Sequence, residues 1–75
     1  MLKIITSKYC PPCKVLKMIL EKNNIEYEEI PIDSKEGLKI AEKVGVTAVP
    51  IVLKDEKPIM IGVPASEQEV LRRIR

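Results

Sequence analysis

With 75 residues, the chain is short enough to form one domain (residues 1–75), and a domain of this size buries only about 60% of the surface its unfolded form exposes. Thirteen Lys and Arg against eleven Asp and Glu give a net charge of +2, too balanced to point to a nucleic acid or an acidic membrane as partner. No apolar stretch is long enough for a membrane span. Met1-Leu2-Lys3 leads straight into an apolar run without the layout of a secretory signal, so the expected location is the cytoplasm, where thiols are kept reduced.

Leu2 to Thr6 is apolar and rich in β-branched residues, which predicts a strand buried on both faces. Ser7 to Tyr9 form a loop. Pro11 and Pro12 suit the first turn of a helix, where amide donors are orphaned in any case, and a helix is predicted from Pro11 to Lys22. Its apolar stripe is Val15, Leu16, Ile19 and Leu20, with Lys14, Lys17 and Glu21 facing water. Glu26 to Asp33 alternates well enough for a second strand, and Pro31 places it at a sheet edge or makes Pro31 a strand end. A helix from Lys35 to Val44 follows, N-capped by Ser34 and C-capped by Gly45, with Leu38, Ala41 and Val44 inward. Ile51–Lys54 and Pro58–Ile61 read as a hairpin around Asp55-Glu56. Ser66-Glu67-Gln68-Glu69 is a capping box opening a last helix, whose apolar face is Val70, Leu71 and Ile74. The core is aliphatic, since Phe and Trp are absent.

The chain's two cysteines stand as Cys10-Pro11-Pro12-Cys13. A disulfide across so short a loop contributes only about 2 kcal/mol by chain entropy, against about 3 for a 15-residue loop. The pair therefore reads as chemistry rather than as a staple, and C-x-x-C within β-α patterning reads first as a redox motif.

The order β-α-β-α-β-β-α with C-x-x-C at the first strand–helix junction resembles the thioredoxin superfamily over essentially the whole chain. Tyr9-Cys10-Pro11-Pro12-Cys13 is similar to the glutaredoxin Tyr-Cys-Pro-Tyr-Cys, Val49-Pro50 stands where the superfamily has its cis proline, and Gly62 stands where these folds turn into the final helix. The resemblance implies an α/β thioredoxin-like fold with a four-stranded mixed sheet flanked by three helices. It implies a dithiol thiol-disulfide oxidoreductase that reduces protein disulfides or glutathione mixed disulfides, needing no cofactor beyond the Cys10–Cys13 disulfide, with glutathione as a co-substrate. The partners it implies are disulfide-bearing proteins, ribonucleotide reductase among them, and glutathione or a thioredoxin reductase as electron donor. No metal site is expected, and a monomer is expected because no cysteine is spare.

Within that resemblance Cys10 is assigned as the nucleophile. It sits at a helix N-terminus, where dipoles and free amides favour a thiolate, and Lys8 and Lys14 add positive potential. Cys13, one turn further and more buried, resolves the mixed disulfide. Pro11 and Pro12 carry no amide hydrogen, so a Cys10 thiolate depends on the amides of Cys13 and Lys14. Candidate substrate contacts are Tyr9, Lys8, Pro12, the backbone of Val49 before Pro50, and the amides of Ala65 and Ser66 at a helix opening.

The electron donor stays open. Glutaredoxins carry a basic residue three places before the first cysteine, where this chain has Ser7, with Lys8 one place later. Thioredoxins carry Trp directly before that cysteine and a buried Asp six places upstream, where this chain has Tyr9 and Ile4. The alternative function is a soft-metal module binding Cu(I) or an iron–sulfur cluster through the same C-x-x-C. Small copper chaperones run β-α-β-β-α-β and close on a strand, whereas this chain closes on a capped helix.

Overall fold

The computed structural model describes residues 2–45, 48–64 and 66–74. Seven elements follow in the predicted order: β1 (Leu2–Thr6), α1 (Pro11–Lys22), β2 (Glu28–Pro31), α2 (Lys35–Val44), β3 (Ile51–Lys54), β4 (Lys57–Ile61) and α3 (Glu67–Ile74). The strands form one sheet in the order β2-β1-β3-β4. β1 runs parallel to β2, while the β1–β3 and β3–β4 pairs are antiparallel. This is the thioredoxin-like architecture, a mixed four-stranded sheet with three helices.

β1 lies inside the sheet and is covered on both sides, so Ile4 and Ile5 are both fully buried. Ile4 joins Leu16 and Leu20 of α1, Val70 and Ile74 of α3, and Val52 and Met60 from the sheet. Ile5 joins Ile30, Ile51, Leu53 and Ala41 of α2. The two helices α1 and α3 thus share one face and α2 covers the other, the layered solution that lets a twisted sheet bury both surfaces.

Several local predictions hold to the residue. The Ser34 side chain accepts from the Gly37 amide at 3.0 Å, and Gly45 closes α2 at φ 85° with its amide on the Ala41 carbonyl. Asp55 and Glu56 both take positive φ, 52° and 69°, the backbone of a two-residue hairpin turn that follows strand twist. β2 is an edge strand, which accommodates the missing donor of Pro31. At the other edge β4 is bulged, pairing Val52 with Met60 but Leu53 with Pro58.

Other predictions are corrected. β2 is shorter than predicted, Glu28–Pro31 rather than Glu26 to Asp33, because it pairs only with the four residues Lys3 to Thr6. Leu38 is 56% exposed, and it is Gly37, Ala41 and the half-buried Ile40 that face the sheet. Val15 is 48% exposed, because α1 packs on the sheet through Cys13, Leu16 and Leu20. Lys17 is half-buried rather than in open water.

Candidate functional site

The antiparallel register Ile5↔Ile51 puts Pro50 at the C-terminal end of β1, the end from which the cysteine loop departs. The Gly62 amide donates to the Pro50 carbonyl at 2.7 Å, so the exit of β4 is tied to the same end. Topology therefore gathers three segments there: the β1–α1 junction with Cys10, the approach to β3 through Val49-Pro50, and the β4–α3 connection. The Val49-Pro50 peptide bond is cis, as the resemblance implied. Pro50 is buried, and Val49 packs against the cluster on the α2 side of the sheet.

Cys10 is the N-cap of α1, in extended conformation, and the two prolines occupy the next two positions. A disulfide joins Cys10 to Cys13, whose Cα atoms lie 5.2 Å apart. The Cys13 amide is shared between the Cys10 Sγ at 3.2 Å and the Cys10 carbonyl at 3.1 Å. The Lys14 amide donates to the Cys10 carbonyl instead, at 3.3 Å, so of the two expected amides only that of Cys13 reaches the sulfur. Cys10 is 5% exposed, lower than an open first turn implies, while Tyr9 is 86% exposed and Pro11 and Pro12 are both exposed. The Lys8 ammonium sits 6.0 Å from the centre of the Tyr9 ring, the outer limit of a cation–π contact.

Ser66 caps α3, its Oγ accepting from the Glu69 amide at 3.2 Å, which commits its hydroxyl to the helix. Ala65 lies outside the described residues, as does Thr47.

A polar cluster that the sequence reading missed stands on the α1 side of the sheet. The Thr6 hydroxyl, 3% exposed as a residue, donates to Glu29 Oε2 at 2.7 Å, and the Lys17 ammonium meets the same oxygen at 3.0 Å. The Thr6 hydrogen bond and then Lys17 hold the Glu29 carboxyl below its ordinary value. The available signal was Thr6 itself, a hydroxyl closing a run otherwise buried, because a buried hydroxyl needs a partner. A groove of about 610 Å³ lies between α2 and the β3–β4 hairpin, lined among others by Lys39, Ile40, Leu53 and Pro58; it includes none of the predicted site residues. Among the described residues, no group of three or more His, Cys, Asp and Glu is placed to hold a metal ion, and no helix is long and apolar enough to cross a membrane.

A disulfide at the N-terminus of α1, set at one end of a thioredoxin-like sheet, defines a redox protein of the thioredoxin superfamily. The sequence model of the glutaredoxin family matches residues 2–59, and the chain belongs to that family, whose members are thiol-disulfide oxidoreductases. It is 34% identical to a probable thioredoxin of Archaeoglobus fulgidus over 79 aligned positions, covering all of this chain and 86% of the relative. Among solved structures it resembles a glutaredoxin from Archaeoglobus fulgidus, with a TM-score of 0.75 and 30% identity, covering 99% of this chain and 85% of that one. It shares its fold with the glutaredoxin-like NrdH-redoxin of Escherichia coli, with a TM-score of 0.76 and 21% identity over 95% of this chain and 91% of the other.

Proposed function

We propose that the chain reduces protein disulfides, or mixed disulfides with glutathione, by dithiol exchange with Cys10 as the nucleophile and Cys13 as the resolving thiol. The carrying observation is the position of Cys10: it caps α1, and its sulfur already accepts the Cys13 amide. In the reduced protein that amide and the helix dipole favour the Cys10 thiolate over the thiol. The thiolate attacks one sulfur of a substrate disulfide, whose S–S bond breaks and releases one substrate thiol. Cys13, losing its proton, attacks Cys10 Sγ, closes the internal disulfide and releases the second substrate thiol. Two electrons and two protons pass to the substrate in all.

Tyr9, Lys8 and Pro12 border the attacking sulfur in sequence and contact the substrate in this reading. Val49 has no backbone hydrogen-bond partner among the described residues, which supports its pairing with an extended substrate segment as a short added strand. The amides of Ala65 and Ser66, which precede α3 in the sequence, receive a substrate carboxylate in this reading. In this reading the chain works in the cytoplasm, glutathione or a thioredoxin reductase supplies its electrons, and ribonucleotide reductase is among its substrates; membership of the glutaredoxin family supports the dithiol exchange itself.

The test has two parts. Cys13→Ser should accumulate a mixed disulfide with substrate while Cys10→Ser forms none; the reverse pattern would exchange the two roles. An NADPH-coupled assay with glutathione and glutathione reductase in one arm, and thioredoxin reductase alone in the other, then identifies the donor by which arm turns over. If dithiothreitol-reduced protein cleaves no disulfide at all, the reading fails and Cu(I) binding by the same cysteines is the reading to test next.

A further inference from the structure

Among the described residues five large apolar side chains are exposed, and three of them, Tyr9 (86%), Val15 (48%) and Met18 (69%), fall between Tyr9 and Met18. Pro11, also exposed, Val15 and Met18 are spaced i, i+4 and i+7, so they line one face of α1. At 3.6 residues per turn that face points away from Leu16 and Leu20, the side chains through which α1 packs on the sheet. Neither Val15 nor Met18 joins either core cluster. The stripe begins beside Cys10 and extends about 10 Å along the helix. It is therefore continuous with the one place that any disulfide substrate must touch.

Beside Cys10 its border is basic, while Glu21 stands at the far end of the same flank. The first turn of α1 holds no acidic residue. Lys14, on the flank of the stripe, is exposed and makes no ion pair among the described residues. Lys17 and Lys22, by contrast, are engaged with Glu29 and Glu67.

We propose that Tyr9, Pro11, Val15 and Met18 form a docking stripe for the segment of a protein substrate next to its reactive cysteine, and that the preferred segment pairs apolar side chains with an acidic one facing Lys14. The proposal rests on Cys10 as the attacking thiol. Exposed apolar side chains gathered beside a reactive group mark a contact surface, and a stripe of this length asks for a folded or extended polypeptide rather than a small disulfide. The charge sets which polypeptide: an acidic side chain is drawn to Lys14 and a basic one repelled.

The test compares kcat/KM of the dithiothreitol-reduced protein on three substrates. Two are disulfide peptides that differ only three to five residues from the cysteine, Leu and Glu in one, Ser and Lys in the other. The third is 2-hydroxyethyl disulfide. The wild type should favour the Leu/Glu peptide by about tenfold, a difference of about 1.4 kcal/mol. Val15→Ser with Met18→Ser should remove most of that ratio while the rate on hydroxyethyl disulfide stays within about twofold, and Lys14→Glu should shift the ratio toward the Ser/Lys peptide. Both positions are exposed, and circular dichroism confirms that the variants fold. Equal kcat/KM on the two peptides, or a ratio unmoved by the variants, overturns the proposal. So does a concentration-dependent dimer in sedimentation that Met18→Ser abolishes, since the stripe then belongs to a second copy. A wild type inert toward all three disulfides sinks the redox reading itself, and the docking proposal with it.

Discussion

At Cys10 one backbone donor has to serve a sulfur and a carbonyl together. The Cys13 amide lies 3.2 Å from Sγ and 3.1 Å from the Cys10 carbonyl, and Pro11 and Pro12 offer no donor of their own. A second proline in this turn therefore withholds an amide that almost any other residue would present near the sulfur. Pro12→Tyr should lower the thiolate pKa of Cys10, because it restores one amide able to donate to the charged sulfur. A titration of thiolate absorbance in Cys13→Ser protein measures this directly, and an unchanged or higher value contradicts it. Proline content was plain in the sequence. The destination of the Lys14 amide was not, because it depends on how the first turn of α1 closes on the Cys10 carbonyl.

Two contacts between elements carry the next scale. Gly37 stands in the first turn of α2, where a Cβ would collide with the Pro31 carbonyl and lie 2.9 Å from Ile32 Cα. Glycine costs a helix about 1 kcal/mol against alanine by propensity, yet close approach of α2 to the end of β2 outweighs that here. Gly37→Ala should lower the unfolding free energy by about 2 kcal/mol in urea, within the range for overpacking; a gain in stability would mean that α2 shifts freely. Glu29, on edge strand β2, ties Thr6 of β1 to Lys17 of α1. Its carboxyl titrates lower in the folded chain than in the unfolded one, so its contribution is present above the ordinary carboxylate range and is lost as pH falls through the depressed folded value. Glu29→Gln should cost about 0.5–1 kcal/mol at pH 7, the modest worth of a partly exposed pair, and the gap should close as pH falls through the depressed folded value. Melting temperatures from pH 7 to pH 3 for both proteins test the sign. A gap that widens on acidification refutes it.

At the scale of the whole molecule, the aliphatic core carries the site. Leu16 is fully buried one turn beyond Cys13 and packs with Ile4, Val52 and Val70. Leu16→Ala should cost about 2–5 kcal/mol, a large part of the 5–15 kcal/mol that holds a typical domain together. Urea unfolding of the oxidised protein should show the midpoint fall accordingly; a loss under about 1 kcal/mol would mean that the surrounding side chains collapse into the gap. Element order, helix bounds, the caps at Ser34, Gly45 and Ser66, and the redox pair were all legible in the 75 residues, because capping, proline geometry and C-x-x-C spacing are local rules acting over three or four positions. Val15 and Leu38 were misread because a 3.6-residue period shows that apolar positions share a helix face but not which part of that face meets the sheet. The partnership of Thr6, Glu29 and Lys17 was invisible because it joins residues 11 to 23 positions apart through strand register. The sequence by itself determined the chemistry available, a dithiol at a helix start in an aliphatic α/β chain. Only the tertiary structure decided where α1 turns Val15 and Met18 outward and how Pro50 and Gly62 come to the cysteine end of the sheet, since packing and register act between segments that local sequence cannot place relative to one another.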